Sequence, residues 1–137
     1  MIKKQFTLYM ENKPGELAKV TRMLADKKIN IEGISVSETT DVALVQLVVS
    51  DPVATRNILK KLKIPFTVQD VMIVLMENKP GSLARITEAL AKAKININYV
   101  YATACNCGQK CGCQTYGILS APDIKKAEQA WKQATQK

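Results

Sequence analysis

Polar and hydrophobic residues alternate along IKKQFTLYM (2–10), and a second apolar run, VMIVLM (71–76), follows much later in the chain. Both read as strands. Each runs into a Pro-Gly pair, Pro14-Gly15 and Pro80-Gly81. Proline fixes φ and glycine frees it, which suits an abrupt strand-to-helix corner. The period then changes. Leu17, Val20, Thr21 and Leu24 recur at i, i+3, i+4 and i+7, as do Leu83, Ile86, Thr87 and Leu90. That spacing predicts a helix with one apolar face after each corner. Lysines close both helices, Lys27-Lys28 in the first and Lys92-Ala93-Lys94 in the second, complementing the negative end of the helix dipole.

Two further β-type runs follow each helix. They are NIEGISVSE (30–38) with VALVQLVVS (42–50), and NINYVYATA (96–104) with QTYGILSA (114–121). Only Thr39-Thr40-Asp41 links the first pair, short enough for a hairpin. Second helices are predicted to begin at Asp51-Pro52 and at Asp123, with aspartate as N-cap. Ile124, Ala127, Trp131 and Ala134 give the last helix an apolar face, with Trp131 expected in the core where the first copy has Leu59. FTVQDV (66–71) closes the first copy as a fourth strand.

The two halves are copies. MENKPGELAKVTRMLADKKINIEGI (10–34) matches MENKPGSLARITEALAKAKININYV (76–100) at a shift of 66, whereas Asp51 and its helix match Asp123 at a shift of 72, so the second copy has gained 72 − 66 = 6 residues in between. The order is βαββαβ, then βαββα. This predicts an α+β chain of two ferredoxin-like units, 1–70 and 71–137, each with helices on one face of an antiparallel sheet. The second copy has no closing strand of its own. An open sheet edge tends to be covered or paired with another chain, so a homodimer, or side-by-side pairing of the copies, is expected.

Composition narrows the function. The formal net charge of +8 comes mostly from scattered lysines, with Arg22, Arg56 and Arg85 the only arginines and aromatics at 5%. Base readers favour bidentate arginine, and single-strand binders need stacking aromatics. A solvated basic surface is therefore expected, with no nucleic-acid partner. No apolar run approaches the roughly 20 residues of a membrane span, and MIKKQFTLYMENKPG does not read as a signal peptide. A cytoplasmic location, with reduced thiols, is expected. Tyr99 and Tyr101 alternate on a strand and are read as sheet packing. No catalytic arrangement is identifiable, and the absence of histidine removes the commonest general base. The chain is read as a non-enzyme.

The added stretch contains all four cysteines, in CNCGQKCGC (105–113). On a hairpin with its tip at Gly108-Gln109-Lys110, Cys107 would face Cys111 and Cys105 would face Cys113, all on one side of the ribbon. Three readings stand. Cys105, Cys107, Cys111 and Cys113 could ligate a thiophilic metal, with zinc or copper(I) ahead of an iron–sulfur cluster. They could instead form a thiol–disulfide switch, or merely decorate a loop. The spacing C-x-C-x3-C-x-C is not the common C-x2-C knuckle, yet free cysteine is usually buried and four at one exposed tip are hard to explain by packing. The metal reading is preferred.

Two βαββαβ-type copies, each with N-K-P-G at its first corner and I-N-I after its first helix, resemble a tandem ACT-domain protein of the stand-alone kind. The resemblance implies a regulatory or sensor module that binds a small ligand, usually an amino acid, between paired domains, and that is commonly coupled to a regulated enzyme. By motif match it implies ligand contacts from Asn12, Pro14, Gly15 and Asn30 in one copy and Asn78, Pro80, Gly81 and Asn96 in the other. The serine-binding members of the family also use a histidine two residues before the first asparagine. Met10 and Met76 stand there instead, which argues against serine and for a more apolar wall. Residue chemistry supports an amino-acid site independently. A Pro-Gly corner opening a helix offers free N–H groups to a carboxylate, and a carboxamide can bond both carboxylate and ammonium. The same asparagines are also ordinary turn and cap residues.

Overall fold

Strong turn and cap chemistry divides the described residues into ten elements. The computed structural model describes residues 1–103 and 114–136. In chain order the elements are β1 (Ile2–Glu11), α1 (Glu16–Asp26), β2 (Ile31–Glu38), β3 (Val42–Val49), α2 (Pro52–Lys61), β4 (Phe66–Glu77), α3 (Ser82–Lys92), β5 (Tyr99–Ala102), β6 (Gln114–Ser120) and α4 (Ile124–Thr135). They form two compact units, Lys4–Gln69 and Met1–Lys3 with Asp70–Lys137. The division passes through β1 and β4. Where two strands were expected, FTVQDV and VMIVLM, the chain makes one, β4. No glycine or proline separates Gln69 from Val71, and the extended backbone runs on through Asp70.

In the Lys4–Gln69 unit the strand order is β2-β3-β1-β4. β1 and β3 are antiparallel, with Phe6 opposite Leu47 and Leu8 opposite Val45. β2 and β3 are antiparallel, with Ile34 opposite Leu47. The start of β4 joins through the Tyr9 N–H, which donates to Pro65 O at 3.0 Å. Helices α1 and α2 supply Val20, Leu24, Ile58 and Leu59 to a core with Phe6, Leu8, Met10, Val45, Leu47 and Val49. Each such fully buried side chain contributes about 1.5–3 kcal/mol. The fold is the ferredoxin-like α+β arrangement that the repeat pattern predicts.

The other unit repeats the register. Met72 lies opposite Leu119 and Val74 opposite Gly117, and Val100 lies opposite Leu119. Hence 34 + 66 = 100 along β5 but 47 + 72 = 119 along β6, which puts the six extra residues between these strands. The absent closing strand is supplied by Met1–Lys3. The Ile73 N–H donates to Met1 O at 2.7 Å, so this edge of β4 is covered within the chain. The core is lighter here: Met72, Val74, Met76, Ile86, Leu90, Leu119, Ala121 and Ala127, with Trp131 partly buried against it.

Local chemistry accounts for the ends of the elements. Asp51 accepts from the Ala54 N–H and Asp123 from the Lys126 N–H, each at 3.1 Å, as expected of N-caps. The closing lysines act differently from expectation. Lys28, Lys63 and Lys94 adopt left-handed φ of 58°, 57° and 57° just beyond α1, α2 and α3. The following Ile29, Ile64 and Ile95 each donate back to Leu24, Leu59 and Leu90. These are Schellman closures, with an isoleucine returned to the core side. The helical stripe also needs correction. Val20, Leu24, Ile86 and Leu90 are buried, but Leu17 and Leu83, in the first turn of each helix, stay 37% and 42% exposed. Among the described residues no helix is long and apolar enough to cross a membrane.

Candidate functional site

The duplicated corner is built from the strand outward. β1 and β4 each end on a glutamate, Glu11 and Glu77, and Asn-Lys-Pro-Gly follows. Lys13 turns back, its N–H donating to Glu11 O at 3.0 Å, and Lys79 does the same to Glu77 O at 2.9 Å. Their ammonium groups pair with the same glutamates. Hydrogen bonds from these lysines, reinforced by their charge, hold both carboxyls below the ordinary range. Gly15 and Gly81 then take φ of 90° and 92° as N-caps of α1 and α3. Neither offers a side-chain cap. The N–H groups of Leu17, Ala18, Leu83 and Ala84 consequently have no partner among the described residues. Four donors at the positive ends of two helices suit an anionic group.

Asn12, Pro14, Gly15, Asn78, Pro80 and Gly81 are all exposed at these corners. The Asn12 N–H donates to Asp41 O at 3.4 Å. Asn30 and Asn96 lie elsewhere, in the loops after α1 and α3. Asn30 is held by Ser50, whose Oγ accepts from its N–H at 2.9 Å, while its carbonyl accepts from the Ser50 N–H at 3.0 Å. Within one unit the two motif asparagines therefore stand at opposite ends of a helix. α1 has 11 residues, roughly 16 Å at 1.5 Å per residue. One unit does not bring both against a single amino-acid-sized ligand.

Met10 and Met76, expected to form an apolar wall, are core residues, 5% and 8% exposed. Trp131 is only half-buried. Tyr99 and Tyr101 stack on β5 with ring centroids 6.4 Å apart, and burial, with Tyr99 adding, pushes the Tyr101 phenol far up. Cys105, Cys107, Cys111 and Cys113 lie outside the described residues. Among the described residues no cluster of histidine, cysteine, aspartate and glutamate is arranged to hold a metal.

Among the described residues, grooves mark the helical layers, and three bear on the site. One of about 600 Å³ runs between α3 and α4 over Ala89, Ala93, Ala130 and Ala134. One of about 340 Å³ lies between α1 and α2, with Met23 and Ile58 flanked by Lys27 and Lys61. The smallest, about 160 Å³, opens at the end of β4 beside the second corner, between Glu77, Ser82, Arg85 and Trp131.

A family model described as an ACT domain pair matches residues 1–111. No curated protein matches the sequence. Among solved structures, a Bacteroides thetaiotaomicron protein is similar at 27% identity and TM-score 0.88, over 98% of this chain and 90% of that one. The ligand-free regulatory subunit of aspartate kinase from Thermus thermophilus is similar at 21% identity and TM-score 0.66, over 96% and 91% of the two chains. The corresponding Thermus flavus subunit gives 19% and 0.60, over 98% and 95%.

Proposed function

Since the chain belongs to the ACT domain pair family, and its role is accordingly that of a small-molecule-binding regulatory protein, we propose that it senses an α-amino acid and transmits the binding state to a partner enzyme. The observation that carries this reading is the duplicated N-K-P-G corner. Each copy spends a left-handed glycine to leave two helix N–H groups open beside an exposed asparagine. An amino-acid carboxylate fits those donors, and the asparagine carboxamide can take both carboxylate and ammonium. The chain acts through binding rather than catalysis. Two of its structural relatives are regulatory subunits of aspartate kinase, which makes an enzyme of amino-acid metabolism the natural partner class.

Titration calorimetry across the common amino acids tests this. Where a corner asparagine holds the ligand, Asn12→Ala or Asn78→Ala should weaken binding by about 1–3 kcal/mol with the fold intact. Unchanged affinity in both variants would move the ligand away from the corners. Asn12 and Asn30 stand at opposite ends of α1, so a family-type site using both would draw them from separate ACT folds. A homodimer meets that need. Light scattering should give twice the chain mass, and a monomer at all concentrations would contradict it.

The cysteines support a second activity. All four fall within nine residues, at the place where the second copy has gained six residues over the first. They lie between two paired strands, whose register continues to Thr103, its N–H donating to Tyr116 O at 3.1 Å. Four thiols so concentrated suit zinc or copper(I), ahead of an iron–sulfur cluster. Anaerobically purified protein should carry stoichiometric metal. Replacing all four cysteines by serine should abolish uptake and leave both sheets folded. Metal-free protein that stays so after reconstitution would eliminate this activity and leave the disulfide switch.

A further inference from the structure

The two repeats differ at one place where their backbones agree. In the first, Glu16 opens α1 and its carboxylate pairs with Lys19 at 3.0 Å and with Lys13 at 3.8 Å. At a shift of 66, Ser82 replaces Glu16 and Arg85 replaces Lys19. Arg85 consequently lacks the carboxylate three residues before it that Lys19 has in Glu16, and the nearest on its helix is Glu88, three residues after it. Its guanidinium makes no ion pair or hydrogen bond among the described residues. Counting the glutamate at the end of each strand and the lysine of each corner, the first repeat sums to two acids and two bases, the second to one acid and two bases. The same corner is neutral in one copy and carries a surplus positive charge in the other.

The floor beneath also differs. At a shift of 72, the fully buried Leu59 of the first copy becomes the half-buried Trp131. Trp131 lines the 160 Å³ groove with Arg85, Ser82, Glu77, Leu75 and Thr135. Thr135 is internally satisfied, its hydroxyl donating to Trp131 O and Lys132 O at 3.1 and 2.9 Å. The chemically open members are a guanidinium, a serine hydroxyl and an indole, while the Glu77 carboxylate at the rim pairs with Lys79.

We propose that this groove of the second repeat, and not its counterpart in the first, binds the α-amino acid. The inference rests on the amino-acid reading above and places the ligand beside the second N-K-P-G corner, where the open N–H groups of α3 begin. Arg85 receives the carboxylate with its planar fork of donors, beside the unpartnered N–H groups of Leu83 and Ala84 in the first turn of α3. The Trp131 ring offers the ammonium a face that attracts a cation. The side chain lies against Met76 and the indole. The volume equals roughly five waters at about 30 Å³ each, enough for a small amino acid.

The only tryptophan of the chain lines the groove, so its emission reports occupancy directly. The wild-type protein is titrated with each common amino acid, by tryptophan fluorescence and by calorimetry in parallel. The expected ligand changes Trp131 emission with the same Kd that calorimetry gives. Arg85→Ala weakens binding tenfold or more, and Arg85→Lys less. Ser82→Glu, which installs the arrangement of the first repeat, weakens it like Arg85→Ala. Lys19→Ala at the matched position leaves affinity unchanged. These are surface positions, and unaltered circular dichroism confirms folding. Calorimetric binding with silent tryptophan emission, and with unchanged affinity in Arg85→Ala and Ser82→Glu, overturns this assignment while the amino-acid reading stands. No heat and no emission change with any amino acid overturns both.

Discussion

Replacing Gly15 or Gly81 by alanine isolates the backbone cost of the corner. Both glycines sit at φ near 90°, where an L side chain is strained, and an added Cβ would meet no atom within 4 Å at either position. Steric collision therefore contributes nothing, and the whole effect is conformational. A left-handed L-residue costs about 1–2 kcal/mol. Removing glycine's freedom in the unfolded chain returns about 0.4–1 kcal/mol. No cap is lost, since neither glycine makes a side-chain bond. The net expectation is a destabilisation of about 1 kcal/mol for each substitution. With a urea slope of about 2 kcal/mol/M, the unfolding midpoint should fall by about 0.5 M. Asparagine tolerates the left-handed region better, so Gly15→Asn and Gly81→Asn should recover part of the loss. A neutral or stabilising Gly→Ala at both corners would show that φ there is not held as described.

Two further predictions use the same corners and their opposite ends. Lys28→Gly, Lys63→Gly and Lys94→Gly should each stabilise by about 0.5–1 kcal/mol in urea unfolding, the reverse sign for the reverse exchange, and destabilisation would refute the closure described for these helices. Lys13 and Lys79 lower the pKa of Glu11 and Glu77, so any stability they add is complete above the unfolded carboxyl pKa and fades as pH falls through the folded one. Both carboxylates are exposed, so that contribution is small. Carboxyl NMR titration of Lys13→Met should show the Glu11 pKa rising toward its ordinary value, and no movement would remove Lys13 as the cause.

The fold was legible where punctuation is local. Pro14-Gly15, Pro80-Gly81, Asp51 and Asp123 mark corners and caps by chemistry that acts within a few residues, and the elements begin where these residues stand. Pairings at long range were not legible. Nothing in Met1-Ile2-Lys3 announces that these residues close the sheet of the second repeat, because a strand's partner is not encoded in its own pattern. The join at Gln69-Asp70-Val71 was divided at the repeat boundary, although no glycine or proline stands there. Leu17 and Leu83 satisfy the helical period, but period alone does not show that the first turn stays exposed. The candidate site was half legible. The 18 residues from Asn12 to Asn30 do not disclose in one dimension that an entire helix separates them. Arg85 and Ser82 looked like surface residues in isolation. Their meaning comes from setting Ser82 against Glu16 and Trp131 against Leu59, a comparison the repeat makes available.

The most direct test of a small-molecule regulator of amino-acid type is the thermal unfolding midpoint of the unmodified protein with each common amino acid in turn. A ligand that binds only the folded state stabilises by about 2.7 kcal/mol at a concentration 100-fold above Kd. At least one amino acid should raise the midpoint by several degrees, saturably, with little change from the others. No shift with any of them at millimolar concentration would contradict the account.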